Sequence, residues 1–393
     1  MAGLRGDQDF ANSPLAAVCS SLCGALLLLT ATCADPGSRT VENRSTFEGA
    51  IDLEFGEIDG DDAYLFTHIG SVLEDPGGRI IVADIQSHEV RVFDSGGGFL
   101  FSFGGEGEGP GDLVNPCCLA FGPDGLLWVR ADVRYSAFRL GATTAEYERE
   151  VRLGHTGIGM LAPITFDAAG RLVDVGTLTS SEGSPLFVRL HRDPAGAVDT
   201  VAMADPARQA TGLARVSRMF GDSPVTFFLF QVYGPTWMQA HGPGGVWAEG
   251  ISAEYSINFH HADGTVSWIE GAPLVGPELA PSERQWAEDR IDSDIERFGL
   301  DEHPFGVPER KPPLAGLFFD RSGRLWVERT RVPGAEMSEA DVYEGATLVA
   351  RYLWPRRVRA SGLSWITDST LYGATTDSLG VQRVARVRFR RAG

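Results

Sequence analysis

The sequence predicts an all-β fold built from a ring of short antiparallel sheets, and three observations predict it. The stretch Asp75-Pro76-Gly77-Gly78-Arg79-Ile80-Ile81-Val82-Ala83-Asp84 sets a glycine turn before a β-branched run, and two alternating runs follow at residues 89–94 and 98–104. Such runs divided by glycine turns are strands of one antiparallel meander. The head of this unit recurs at Pro123-Asp124-Gly125-Leu126-Leu127-Trp128-Val129, at residues 167–173 and at residues 320–327. A self-similar unit of about 45 residues made of short strands is the mark of a propeller blade. The third observation concerns the ends: a lone alternating run at residues 51–55 precedes the first unit, and the last unit stops one strand short. Pairing the two removes an exposed sheet edge. The expected architecture is therefore a six-bladed β-propeller of four-stranded antiparallel blades, with the N-terminal strand completing the last blade and one short inserted helix.

Taken in order, residues 1–33 differ in kind from the rest. The apolar stretch at 15–31 ends in Leu26-Leu27-Leu28-Leu29-Thr30-Ala31-Thr32-Cys33, as a secretory signal peptide does. Two processing routes stay open: Cys33 as the lipidated first residue of a bacterial lipoprotein, or ordinary cleavage after Ala34. A retained anchor is a third, disfavoured because the run is short and broken by serines. Each route exports the chain. Residues 34–49 are polar and expected as a flexible tether, and residues 50–393 as the propeller.

Anchoring each unit on its turn residue selects Gly78, Gly125, Gly170, Gly244, Gly323 and Ser369, with gaps of 47, 45, 74, 79 and 46 residues. Two gaps exceed one blade without reaching two, which implies insertions at about 205–234 and 274–313. Both fall between a fourth strand and the next first strand, so both are expected on one rim. The first carries Arg208, Arg215 and Arg218 and the apolar run Val225-Thr226-Phe227-Phe228-Leu229-Phe230; the second carries a helix. Ser282 and Gln285 form a capping box, Ala287, Ile291, Ile295 and Phe298 form one stripe, and Gly299 stops it. Three residues past each anchor stands Ile81, Trp128, Val173, Trp247, Trp326 or Tyr372, a bulky column expected to pack between neighbouring sheets.

A net charge of −19 argues against nucleic acid or an anionic membrane surface as partner, because phosphate-binding faces need clustered Lys and Arg. Membrane attachment is expected only through a lipid on Cys33. Of five cysteines, Cys117 and Cys118 alone lie in the body, and they are adjacent. They either close a vicinal disulfide in an oxidising compartment or remain as thiols on opposite faces of a strand.

The units Gly78-Arg79-Ile80-Ile81-Val82-Ala83-Asp84, Ser87-His88-Glu89-Val90-Arg91-Val92-Phe93-Asp94 and Phe103-Gly104-Gly105-Glu106-Gly107-Glu108-Gly109-Pro110-Gly111 resemble the NHL-repeat form of the six-bladed propeller. That resemblance implies a bacterial exported binding scaffold, and it also brings in enzymes with similar blades, among them gluconolactonase-type hydrolases and streptogramin lyases. The hydrolases hold a divalent cation with carboxylates and amides from separate blades. The first-strand positions here, His68, Cys117, Cys118, Thr165, Gln239, Gly316 and Ser364, supply no carboxylate. His260 and His261 point to opposite faces if they lie on a strand and cannot share a metal. No metal, cofactor or catalytic set is expected. Five residues past the anchors, Arg130, Glu249 and Glu328 are charged and are candidates for a ligand-orienting ring at the channel mouth, joined by His68, Cys117 and Cys118. The glycine-rich loop at 104–111 contains two glutamates and opens no helix, so it is no phosphate cradle.

The expected function is an exported, lipid-anchored monomeric module of the periplasm or outer membrane, with the cell surface also open. It would bind a protein, peptide or saccharide on the insertion-bearing rim. A propeller hydrolase or lyase acting in the channel, and a scaffold in an envelope complex, are the alternatives.

Overall fold

The structure is a computed structural model that describes residues 45–132, 134–152, 163–179, 185–193, 197–203, 212–220 and 223–393. The expected signal peptide, Cys33 and most of the expected tether lie outside the described residues. The described residues begin with β1 (Ser45–Phe55) and then form three meanders. These are β2 (Ile69–Glu74), β3 (Ile80–Asp84), β4 (Glu89–Phe93) and β5 (Phe99–Gly104); β6 (Pro116–Phe121), β7 (Leu127–Ala131), β8 (Arg134–Leu140) and β9 (Ala145–Arg152); and β10 (Thr165–Phe166), β11 (Leu172–Thr179), β12 (Pro185–Arg192) and β13 (Val198–Ala202). A hairpin of β14 (Leu213–Phe220) and β15 (Ser223–Phe230) comes next, and then the meander β16 (Trp237–His241), β17 (Trp247–Ile251), β18 (Ser256–His260) and β19 (Val266–Glu270). Helix α1 (Pro281–Phe298) precedes β20 (Leu314–Phe319), β21 (Leu325–Arg329), β22 (Met337–Glu344), β23 (Thr347–Pro355), β24 (Trp365–Ile366), β25 (Thr370–Thr376) and β26 (Gln382–Arg391).

The four meanders are separate four-stranded antiparallel sheets, β14 and β15 form a two-stranded sheet, and the other eight strands form one sheet in the order β20-β21-β22-β23-β1-β26-β25-β24. Its centre is β1, which pairs antiparallel with β26 and, over Ser45 to Glu48, parallel with β23. The terminal pairing expected from residues 51–55 is present. The strand is longer than expected, because it starts at Ser45 inside the stretch read as tether. Phe47 stacks on Tyr352 with ring centroids 4.7 Å apart, so an apolar contact draws the added residues onto the neighbouring strand.

The repeated head owes its form to an aspartate as much as to the glycine. Asp75 Oδ1 accepts the Gly77 and Arg79 amides, each at 2.8 Å, while Oδ2 accepts Arg79 Nε at 2.7 Å. Asp167 and Asp320 hold their turns the same way, with Arg171 and Arg324. Each closes the hairpin as an Asx turn, and the glycine that follows takes the left-handed backbone the turn requires, with φ of 82° at Gly78, 76° at Gly170 and 83° at Gly323.

Large side chains fill the wedges between sheets. Ile81, Trp128, Val173, Trp247, Trp326 and Tyr372 are all buried, so the bulky column is packing, as expected. Apolar clusters join each sheet to the next, and Ile69, Val72, Ile80 and Val82 pack on Tyr372 and Val384 to bring the last strands against the first meander. Two seams also carry buried hydrogen bonds. The Tyr135 hydroxyl donates to Asp174 and the Tyr255 hydroxyl to Asp341, each at 2.7 Å.

One detail of α1 departs from expectation. Ala280 is the N-cap and Pro281 opens the first turn, one residue before the expected cap Ser282. Proline has the helical φ built in and no amide to satisfy, so the helix starts on it. Glu283, in place of Gln285, reaches back to the Ala280 amide at 2.9 Å. Gln285 instead bonds Asp289 along the helix, at 3.0 Å. The expected stripe is right, with Asp294 also turned inward.

Candidate functional site

Two regions concentrate unusual side chains: the insertion-bearing rim and the axial channel. On the rim, β14 and β15 pair with each other and, among the described residues, with no third strand. The alternation of the hairpin gives it two faces. Phe227 turns inward and meets Phe298 of α1 at 4.8 Å, while Leu229 is buried. Phe228 and Phe230 turn outward with Met219, and Phe230 is 60% exposed. Beside them Trp286 of α1 stays 55% exposed and meets Tyr233 at 5.8 Å. A cleft of about 350 Å³ lies between hairpin and helix, lined by Phe228, Phe230, Tyr233, Trp286 and Arg290 among others. The insertions therefore pack on each other. Lys311 ties them further, pairing with Glu283 and lying 5.5 Å from the Tyr233 ring.

In the channel, the first strands of the sheets line two cavities of about 380 and 310 Å³. His68, Gln239 and Arg359 lie toward one mouth, Asp167, Asp320 and Arg321 toward the other, and His241 lines both. His241 is 5% exposed, and neither ring nitrogen has a hydrogen-bond partner among the described residues. Burial, reinforced by the Arg189 charge, pushes its pKa down to about 3, so the ring is neutral. It stacks at 6.2 Å on Trp247, which also stacks at 3.7 Å on His260.

The structure distributes the sequence candidates among different surroundings. His68 lines the channel, while Arg130, Glu249, Glu328, Cys117 and Cys118 line neither axial cavity. Arg130 is buried, 5.9 Å from the Tyr135 ring centroid. Glu249 accepts from Trp237 Nε1 and meets His260 Nε2, both at 3.2 Å, and so braces the stack on Trp247. Glu328 is buried next to Arg331, 3.3 Å away, and its carboxyl is raised above the ordinary value by desolvation. Cys117 and Cys118 are joined as a vicinal disulfide, at a bulge in β6. The Cys117 carbonyl sits so close to Gly70 that a Cβ there would come within 2.7 Å. His261 bonds Ser267 while His260 meets Glu249, so the two rings part as expected of strand neighbours. Among the described residues no group of three or more His, Cys, Asp or Glu is placed to hold a metal ion. His241 and the outward face of β15 were missed as site residues. A signal existed for the second, because phenylalanine at both 228 and 230 marks one face of a strand.

No family model matches the chain, and no curated protein matches it in sequence. Solved structures resemble it. A Bacteroides fragilis protein whose name describes it as exported is 11% identical, over 88% of this chain and 99% of its own, with a TM-score of 0.46. A virginiamycin B lyase from Staphylococcus aureus is 9% identical over 87% and 99%, with a TM-score of 0.39. Regucalcin, a calcium-binding protein from Agrobacterium tumefaciens, is 13% identical over 88% and 96%, with a TM-score of 0.34. The sheets of the chain itself define its class, an all-β protein of propeller-like arrangement with one α-helix among the described residues. No helix among the described residues is long and apolar enough to cross a membrane.

Proposed function

We propose that this chain is an exported, lipid-anchored propeller of six NHL-like blades that binds a protein partner through an extended peptide segment, taken up on the rim between the hairpin β14–β15 and α1. The count of six treats the eight-stranded sheet as two blades joined edge to edge by β1. The observation that carries the proposal is the convergence of Phe228, Phe230 and Trp286, from two separate insertions, on one 350 Å³ cleft. Large aromatic side chains left exposed together on a soluble domain mark an interaction surface. The edges of a two-stranded sheet accept a further strand, whose alternate side chains would enter the cleft. In this proposal Arg130, Glu249 and Glu328 stabilise the blades beneath the rim.

A phage-displayed random peptide library supplies the test. Peptides selected on the mature protein should lose at least tenfold in affinity for a Phe230→Ser, Trp286→Ala variant whose circular dichroism is unchanged. A library that yields no binder, or binders indifferent to those substitutions, would overturn the proposal.

A further inference from the structure

We infer that the channel mouth bounded by His68, Gln239, His241 and Arg359 is a second, separate site, which binds a small organic anion carrying a carboxylate or phosphate group. The inference starts from charge. The chain has 53 acidic residues and a net charge of −19, yet no Asp or Glu is among the described residues that line the 380 Å³ cavity. A cavity of that size accommodates a small molecule. A calcium or magnesium ion would need carboxylate or carbonyl oxygens gathered around it, and among the described residues no group of three or more His, Cys, Asp or Glu is placed to hold any other metal.

The second observation is Arg359. Its backbone is engaged by Ala374 and Ser364, but its side chain is exposed and forms no ion pair with a described residue. Five other arginines are matched, Arg79 with Asp75, Arg171 with Asp167, Arg324 with Asp320, Arg383 with Asp377 and Arg386 with Asp52, whereas Arg359 and the channel's Arg321 have no ion pair among the described residues. Guanidinium forks bind carboxylate and phosphate oxygens through paired N–H donors, so an anion would be the counterion that Arg359 lacks.

The third observation is His241, more than nine-tenths buried on the channel wall with neither nitrogen bonded to a described residue. Buried polar atoms are nearly always satisfied, and an exception lining a cavity points to a ligand. A neutral imidazole offers one N–H donor and one acceptor, which suits an anion that also bears a hydroxyl. At the far mouth, Asp167 and Asp320 are taken up by their turn amides and by Arg171 and Arg324, while Arg321 lies 4.4 Å from the Trp365 ring. Among the described residues the channel therefore presents uncommitted positive charge and no uncommitted carboxylate.

Titration calorimetry of the mature protein with benzoate, inorganic phosphate and the neutral control benzamide, at constant ionic strength, tests the site. At least one anion should bind one to one, benzamide should not, and the dissociation constant should rise at least tenfold in Arg359→Gln and in His241→Phe. Preference for benzoate would assign carboxylates, and preference for phosphate would assign phosphate esters. Arg359 is exposed, so Arg359→Gln remains informative if the buried substitution harms folding. Absence of binding by both anions, or an affinity unchanged in Arg359→Gln, would overturn the inference.

Discussion

The Tyr255 hydroxyl donates to Asp341 Oδ2 at 2.7 Å, across the seam between the fourth meander and β22, and so fastens two sheets through a buried carboxylate. Burial alone would raise the Asp341 pKa, but hydrogen bonds from Arg329 and Tyr255 and the charges of Arg329 and Arg351 hold it below the ordinary value. Tyr255→Phe removes one donor and leaves the arginines, so it should destabilise the protein by about 1–2 kcal/mol. Asp341→Ala leaves the buried Tyr255 hydroxyl and the partly exposed Arg329 and Arg351 without their shared carboxylate and should cost more than Tyr255→Phe. Urea unfolding should show both as lower midpoints at an unchanged slope. A Tyr255→Phe midpoint equal to wild type would show that the seam does not depend on this bond.

The buried neutral ring of His241 makes stability depend on pH. Its pKa falls from 6.5 to about 3 in the folded state, so between those values only the unfolded chain takes up the proton. The contribution is full above pH 6.5 and is lost as pH falls toward 3, with a limiting slope of about 1.4 kcal/mol per pH unit. His241→Phe should flatten the stability profile between pH 6 and 4.5 by about that slope, in chemical denaturation repeated across the range. Equal slopes for variant and wild type would mean that the ring is protonated in the fold.

The vicinal pair can be read by mass. Alkylation of the unfolded but unreduced mature chain should leave the peptide with Cys117 and Cys118 unmodified, and reduction should then allow both to react. Two alkylated cysteines before reduction would contradict the disulfide.

Much of the fold was legible because it rests on local chemistry that repeats. Asp75, Gly78 and Arg79 write one turn, and the same letters at Asp167, Gly170 and Arg171 write it again. The pairing of residues 51–55 with β26 was legible because a missing strand and a spare strand lay at opposite ends. The parallel contact of Ser45 to Glu48 with β23 was not, because it depends on where Phe47 meets Tyr352 once the ring is closed. The candidate sites show the same division. Arg130, Glu249 and Glu328 share a repeat position, but sequence position does not say whether a charge faces the axis or a neighbouring ring. His241 sits in a short strand and has no sequence signature. Only the assembled sheets show that no described residue bonds its nitrogens.

The central claim is that the rim, and not the channel, takes the peptide partner. The direct measurement is a calorimetric titration of one library-selected peptide into wild type, the Phe230→Ser, Trp286→Ala variant and Arg359→Gln. A Kd at least tenfold weaker is expected for the rim variant, and an unchanged Kd for Arg359→Gln. Loss of binding in Arg359→Gln with full binding by the rim variant would contradict it.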